Sequence, residues 1–358
     1  MKKIISIALV VLMALCTFTA CGDDTATTTA ATTVATTTAP VVEDVAETVS
    51  FGMGVYAVYG DVTNAEGDAN GKGEVVATVA AVLVDKDGKI VKCDIDCADI
   101  SVAYTSAGVA VVSDEFKTKA ELGSDYGMAA YGADLNGDGK VLEWNEQIDV
   151  FENAIIGKTI DEAKALVVNG YQAVEDVQTA GCTMGVGDYI KAVEKVVANA
   201  TESGATATDA LKVSAVVSAT AKDATADAQG AVELEINVAA AATADGKVTA
   251  NAVDVVSVAF AFDANGAMAT DTAAEIKTKA ELGTAYGMAA YGADLNGDGK
   301  VLEWNEQAAA FNAACNGKTA DEIAALVVNG YQAVEEVQAA GCTIGVADMA
   351  AAIVKAAK

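Results

Sequence analysis

Lys117–Gln147 reads KTKAELGSDYGMAAYGADLNGDGKVLEWNEQ, and Lys277–Gln307 reads KTKAELGTAYGMAAYGADLNGDGKVLEWNEQ. Over these 31 positions only Ser124/Thr284 and Asp125/Ala285 differ. The agreement resumes at Ala165–Glu175 and Ala325–Glu335, which both read ALVVNGYQAVE in the same register of 160 residues. Solenoid units repeat every ~20–50 residues, so a period this long marks duplication of a whole domain. What one half does, the other does or once did.

The residues flanking the duplicated stretch change period. Upstream, Glu74–Val84 (EVVATVAAVLV) has the length and β-branched content of a strand. Asp87-Gly88 predicts a hairpin turn, and Lys89–Asp96 the returning strand. Ile100–Tyr104 and Val109–Val112 flank a second turn at Ser106–Gly108. Downstream, Leu142–Ile155 sets Leu142, Ile148, Phe151 and Ile155 near one helical face. Thr159-Ile-Asp-Glu162 and Thr319-Ala-Asp-Glu322 are capping boxes that open a second helix. Asp188–Ala200 is a third, and Val232–Ala242 and Lys247–Ala259 are Ala-rich strands of the second half. Strands followed by helices predict an α+β fold: two tandem homologous domains, each an antiparallel sheet followed by helices. The expected boundaries are 50–200 and 205–358, each long enough for a core of its own.

The N-terminus carries an address. Lys2 and Lys3 precede an apolar run, Ile4–Leu15, that is too short to span a membrane comfortably, and small residues lead to Cys21. FTAC followed by Gly22-Asp23-Asp24 resembles a bacterial lipobox. That resemblance implies a signal peptide over 1–20, acylation of Cys21, and attachment through the lipid bilayer to the outer face of the bacterial cytoplasmic membrane. Residues 21–49 are rich in Thr and Ala and hold the single proline, Pro40, so they read as a tether.

Net charge is −29, and removing residues 1–20 with their two Lys gives 20 − 51 = −31. Such a chain repels nucleic acid, and its favoured small partners are cations. It has no His and no Arg, which removes the commonest general base and the bidentate phosphate clamp. Both absences argue against a hydrolase or a phosphotransferase. Beyond Cys16 and Cys21, five Cys remain, and only Cys182 and Cys342 correspond between repeats, so no shared disulfide framework is expected. Cys93-x-x-x-Cys97 has no His or second pair to complete a zinc site.

A strand with a DKDGKI-type turn, then KTKAELG-x-x-YGM, EW-x-EQ, GKT-x-DE and a Gly/Thr loop before the last helix together resemble the FMN-binding domain family. The resemblance covers most of both repeats and is closest to the tandem bacterial lipoproteins of that family. It implies FMN held covalently by a phosphoester to a Thr, installed by a flavin transferase. The Asp-x-x-[Ser/Thr]-[Ser/Ala]-Gly-Ala-Thr pattern of acceptor sites falls on Asp176, Gly181 and Thr183, and in the second repeat on Glu336, Gly341 and Thr343. Both repeats place Cys where Ala is usual, and the second replaces the leading Asp, which makes Thr183 the better match. Gly181, Gly185 and Gly187 leave the loop open to a modifying enzyme, and the helix that begins near Asp188 turns its N-terminus toward a phosphate there.

Asp134, Asn136, Asp138, the Lys140 carbonyl and Glu143 follow a calcium-loop spacing, repeated as Asp294, Asn296, Asp298, Lys300 and Glu303. The acid falls at position 10 of the loop, as in short extracellular loops; a polar turn around Asp-Gly is the other reading. Tyr126, Met128, Tyr131 and Trp144, with Tyr286, Met288, Tyr291 and Trp304, are either core residues or a stacking surface for a flavin ring. Asp61, Glu66 and Asp68 read as a solvated acidic loop. The expected function is a membrane-anchored extracytoplasmic flavoprotein that relays electrons from a membrane redox donor to external acceptors, a carrier more than a substrate-specific enzyme. The alternative is a flavin-free, calcium-stabilised surface lipoprotein used for binding or spacing.

Overall fold

A computed structural model describes residues 47–132, 134, 137, 139–291, 294 and 299–358. The signal peptide, Cys21 and the tether lie outside these residues, as do Asn136, Asp138, Asn296 and Asp298. No helix among the described residues is long and apolar enough to cross a membrane.

The first repeat opens with β1 (Thr48–Tyr59), β2 (Gly71–Val84), β3 (Ile90–Tyr104) and the short β4 (Ala110–Val111), paired antiparallel in chain order. The two segments expected at Lys89–Asp96 and Ile100–Tyr104 form the single strand β3. Asp85 fastens the turn into it, accepting the N–H of Asp87 (2.9 Å) and of Lys89 (2.8 Å), while Gly88 takes φ 76°. In β2 the continuous apolar run has a physical reason: both faces are covered. Val75, Ala77, Val79, Ala81 and Leu83 face one core, while Ala80, Val82 and Val84 face another.

Helices cover the second face. They are α1 (Lys119–Leu122), α2 (Trp144–Ile155), α3 (Ile160–Lys164), α4 (Glu175–Thr179) and α5 (Gly187–Asn199), with a two-residue hairpin of β5 (Val167–Val168) and β6 (Gln172–Ala173) between α3 and α4. Thr118 and Thr159 start α1 and α3 as capping boxes with Glu121 and Glu162. The glycines of β1 let α5 lie close: a Cβ on Gly52 would stand 2.8 Å from the Val196 carbonyl, and one on Gly54 2.8 Å from the Val196 nitrogen.

The chain then adds β7 (Thr201–Thr206) to the free edge of β1, completing the five-stranded order β4-β3-β2-β1-β7. The second repeat supplies a three-stranded antiparallel sheet, β10-β9-β8, from β8 (Ala210–Lys222), β9 (Gly230–Ala244) and β10 (Lys247–Phe262). Its outer helices are α6 (Lys279–Leu282), α7 (Trp304–Cys315), α8 (Ala320–Ala324), α9 (Glu335–Ala339) and α10 (Ala347–Ala356), with the hairpin β11 (Val327–Val328) and β12 (Gln332–Ala333). The fold is α+β, with antiparallel sheets followed by helices.

The two sheets face each other, giving layers of helix, sheet, sheet and helix. Each repeat has a core between its sheet and its helices, and the repeats share a further one between the sheets. There Val79, Leu83 and Tyr104 meet Leu234, Ile236, Phe260 and Phe262. The Tyr104 and Phe262 rings stack with centroids 4.5 Å apart and planes 2° apart. Burial of each such large side chain contributes about 1.5–3 kcal/mol.

The register of 160 breaks in the strands. Asp96 Oδ1 accepts from Cys97 and Ala120, and Asp254 Oδ1 accepts from Val255 and Ala280. These carboxylates are equivalent, yet 254 − 96 = 158. Tyr56 pairs with Thr78 and Val216 with Asn237, so β8 keeps the offset of 160 while β9 has 159. The shorter β9–β10 turn, Asp245-Gly246 with φ 51° and 73°, replaces the five-residue turn of the first repeat.

Candidate functional site

The loop between α9 and α10 holds the second acceptor candidate. Gly341 adopts φ 109°, and a Cβ there would stand 2.6 Å from the Leu302 side chain. Cys342 is fully buried, and desolvation pushes its thiol up to about 11. Thr343 is held by Gln307: the Gln307 side-chain oxygen accepts the Thr343 N–H (2.8 Å) and its hydroxyl (2.9 Å). Gln307 is buried and fixed from its other end, donating to the Leu302 carbonyl at 2.9 Å. The same device recurs at Thr183, whose N–H (2.9 Å) and hydroxyl (3.2 Å) reach the Gln147 oxygen. The two glutamines close the duplicated stretch quoted above, and their identity at its last position is the signal that points to them. Sequence reasoning missed this role.

Thr343 lines a cavity of about 520 Å³. Its floor is Glu235 and Asn237 of β9 with Val255 of β10. Tyr286, Met288 and Tyr291 form one wall with Trp304 at the start of α7, and Tyr331 closes over Gly345 from the hairpin. A Cβ on Gly345 would fall 2.2 Å from that ring, so only glycine lets it lie there. Ala347, Asp348 and Met349 of the first turn of α10 complete the lining. Lys279 reaches in from α6, paired with Glu235 at 2.7 Å and 5.5 Å from the Tyr286 ring centroid. Four of the residues offered as core or stacking surface, Tyr286, Met288, Tyr291 and Trp304, therefore meet Thr343 at one site. Trp304 is buried, whereas the Tyr291 ring is 89% exposed.

The first repeat has the same loop in another setting. Tyr189, equivalent to Met349, is buried against Trp144 with ring centroids 6.0 Å apart, and its hydroxyl accepts the indole N–H at 2.8 Å. Burial foremost raises the Tyr189 phenol above its ordinary range. Gly181 takes φ 122°, and desolvation pushes the Cys182 thiol up to about 12. Asp176 is exposed in the first turn of α4, and its counterpart Glu336 does not line the cavity.

Of the calcium-loop residues, Asp134 accepts the N–H groups of Gly137 (2.7 Å) and Gly139 (2.9 Å), and Asp294 that of Gly299 (2.9 Å). Lys140 and Lys300 are exposed. Glu143 and Glu303 serve as N-caps of α2 and α7 in reciprocal boxes with Glu146 and Glu306, and each also accepts an N–H, from Ala129 (3.3 Å) or Ala289 (3.4 Å). No metal-binding group of three or more ligands forms among the described residues. The thiols of Cys93, Cys97, Cys182, Cys315 and Cys342 are all free.

The fold and this site define a tandem α+β protein with an aromatic-walled cavity beside a buried-glutamine-held threonine. Compared with protein-family models, curated proteins and solved structures, the chain matches none.

Proposed function

We propose that the protein is a membrane-anchored extracytoplasmic flavoprotein that carries FMN on Thr343 and relays electrons between a membrane redox donor and external acceptors. One observation carries this reading: Thr343 lines a cavity together with Trp304, Tyr286, Tyr291 and Met288. A volume of about 520 Å³ falls within the ~300–1,000 Å³ common for small-molecule sites. The unpaired amide nitrogen of Asn237, buried in the floor, fits a ring that carries hydrogen-bond acceptors.

In this reading a flavin transferase joins the FMN phosphate of FAD to the Thr343 oxygen, the hydroxyl proton leaves and AMP is released. Gln307 orients the hydroxyl for that step, and the tyrosines and Trp304 offer faces on which a planar ring stacks. FMN supplies reversible electron transfer when bound; the protein supplies attachment, orientation and partial exclusion of water. Access comes from the exposed edge at Tyr291 and Tyr331. Among the described residues of the lining Lys279 is the one cation, alongside Glu235 and Asp348. The start of α10, which has no side-chain cap, adds partial positive charge for a phosphate.

The test is intact mass and in-gel flavin fluorescence of the chain from Asp23 onward, secreted alongside a flavin transferase. Fluorescence that survives denaturation in wild type and is lost in Thr343→Ala is expected, with Thr183→Ala and the double variant run beside it. No adduct on wild type, while a control substrate is modified, would sink the proposal.

A further inference from the structure

Three differences between the repeats converge on one place. At the position of Met349 the first repeat has Tyr189, whose ring lies against Trp144 and whose hydroxyl takes the indole N–H. Met349 has no hydroxyl, so nothing at that position accepts the Trp304 indole N–H beside the cavity. At the position of Asn237 the first repeat has Thr78, whose small hydroxyl turns to the Cys97 sulfur at 4.0 Å. Asn237 is 95% buried on the helix-facing side of β9, and its amide nitrogen has no partner. A buried polar group left unsatisfied is destabilising, and a ligand able to pair with it removes that penalty. Finally, Asp188 is paired with Lys191 at 3.0 Å, whereas the equivalent of Lys191 is Ala351 and Asp348 faces the cavity without it.

We infer that the second repeat alone seats a planar heteroaromatic ring bearing a carbonyl beside a ring N–H, that the Asn237 amide pairs with that edge, and that Tyr189 is a built-in plug closing the same place in the first repeat. The inference rests on the flavin reading above and goes further by assigning one seat per chain and naming what reads the ring. A primary amide presents a donor and an acceptor side by side, which complements a carbonyl next to an N–H. Trp304 contributes a second donor and a flat face. The first repeat keeps the loop, the glutamine and the threonine but fills the space with its own phenol.

The experiment uses the full mature chain made without a flavin transferase, with riboflavin as probe because it has the ring and no phosphate. Equilibrium dialysis should find one riboflavin per chain in wild type and none in Met349→Tyr. Asn237→Leu, similar in size but unable to pair, should weaken binding at least tenfold. Tyr189→Met combined with Thr78→Asn should raise the stoichiometry to two, a gain that misfolding cannot produce. Two riboflavins in wild type, none at all, or an affinity unmoved by Asn237→Leu would each overturn the inference. Riboflavin binding without any adduct on Thr343 in transferase-containing cells keeps this inference and removes the covalent reading. An adduct on Thr343 in a protein that binds no riboflavin does the reverse.

Discussion

Lys195 of α5 pairs with Glu281 of α6 at 2.5 Å, and Lys355 of α10 pairs with Glu121 of α1. Adding 160 to either member of the contact Lys195–Glu281, or subtracting it, generates the other: 195 + 160 = 355 and 281 − 160 = 121. Each repeat thus offers the other a lysine from its last helix and a glutamate from its first. This is the reciprocity of an isologous two-fold interface, here closed within one chain.

Both pairs are about one-third exposed, so their contribution is small. Double-mutant cycles at Lys195/Glu281 and at Lys355/Glu121 should each return a coupling of about 0.2–1 kcal/mol, equal for the two pairs within error and falling with added salt. Couplings that differ severalfold would show that the symmetry of position is not one of energy.

The shared core between the sheets predicts that the repeats unfold together. Trp144 and Trp304 are the chain's two tryptophans, one per repeat. With Trp304→Phe or Trp144→Phe leaving a single reporter, both should show the same denaturant midpoint. Phe260 is fully buried against the first sheet, where a Cβ on Gly73 would meet its ring at 2.4 Å. Phe260→Ala should therefore cost about 3–5 kcal/mol and shift the midpoint read by Trp144, a residue of the other repeat. Two separated transitions would mean that the shared core does not couple the halves.

The sequence announced the duplication, the strand-then-helix order, the capping boxes at Thr159 and Thr319 and the hairpin at Asp87-Gly88, because each is a local signal. Two long strands escaped it, besides β7 and the two-residue strands β5, β6, β11 and β12. β1 reads FGMGVYAVY, where Gly52 and Gly54 serve the approach of α5 and erase the alternation of side chains that marks a strand. β8 was hidden by its Ala and Ser content. The site was half legible: Thr343 and the aromatics carried a pattern, but the pairing of Gln307 with Thr343 spans 36 residues and depends on how α7 packs on the loop. The contrast of Tyr189 with Met349 stood in the sequence as one difference among many. Only the ring's position against Trp144 gave it meaning.

Gln307 holds two donors of the Thr343 residue with one oxygen. Gln307→Leu, of similar size, leaves the Thr343 N–H without its acceptor, so stability should fall by about 1–3 kcal/mol. Gln307→Glu keeps the acceptor for Thr343 but loses the donor to the Leu302 carbonyl, so it should recover only part of the loss while leaving the Thr343 hydroxyl in place. In cells with a flavin transferase, the adduct on Thr343 should drop several-fold in Gln307→Leu and return in part in Gln307→Glu. An unchanged adduct with lowered stability would confine Gln307 to a structural role.

A buried group of acids on the first repeat sets a pH dependence. Glu152 is buried between α2 and β3, where desolvation first, and then Asp94, Asp149 and Asp96, raise its carboxyl from 4.5 to about 9, against the lowering effect of the Ile95 N–H bonded at 2.7 Å. Burial likewise raises Asp94 from 3.8 to about 6, although the Val213 N–H donates to it at 2.6 Å. A carboxyl whose folded pKa is raised keeps its proton in the native state while the unfolded chain has lost it. The native state then binds more protons, and stability falls as pH rises from the ordinary carboxylate range to the folded pKa. Between pH 6 and pH 9 the decline belongs mainly to Glu152, since Asp94 has already titrated. The second repeat has Asn312 and Ala252 at the equivalent positions, so the Glu152–Asp94 pair has no counterpart there; its buried Asp254 is raised by desolvation only to about 6 and adds little between pH 6 and pH 9. Urea unfolding in 0.5 M salt, which screens the repulsion of the net negative chain, should show stability dropping from pH 6 to pH 9 in wild type. Glu152→Gln should flatten that slope and be the more stable protein at pH 9. Parallel profiles for the two proteins across this window would mean that Glu152 is already ionised in the fold and that the Ile95 N–H outweighs its burial.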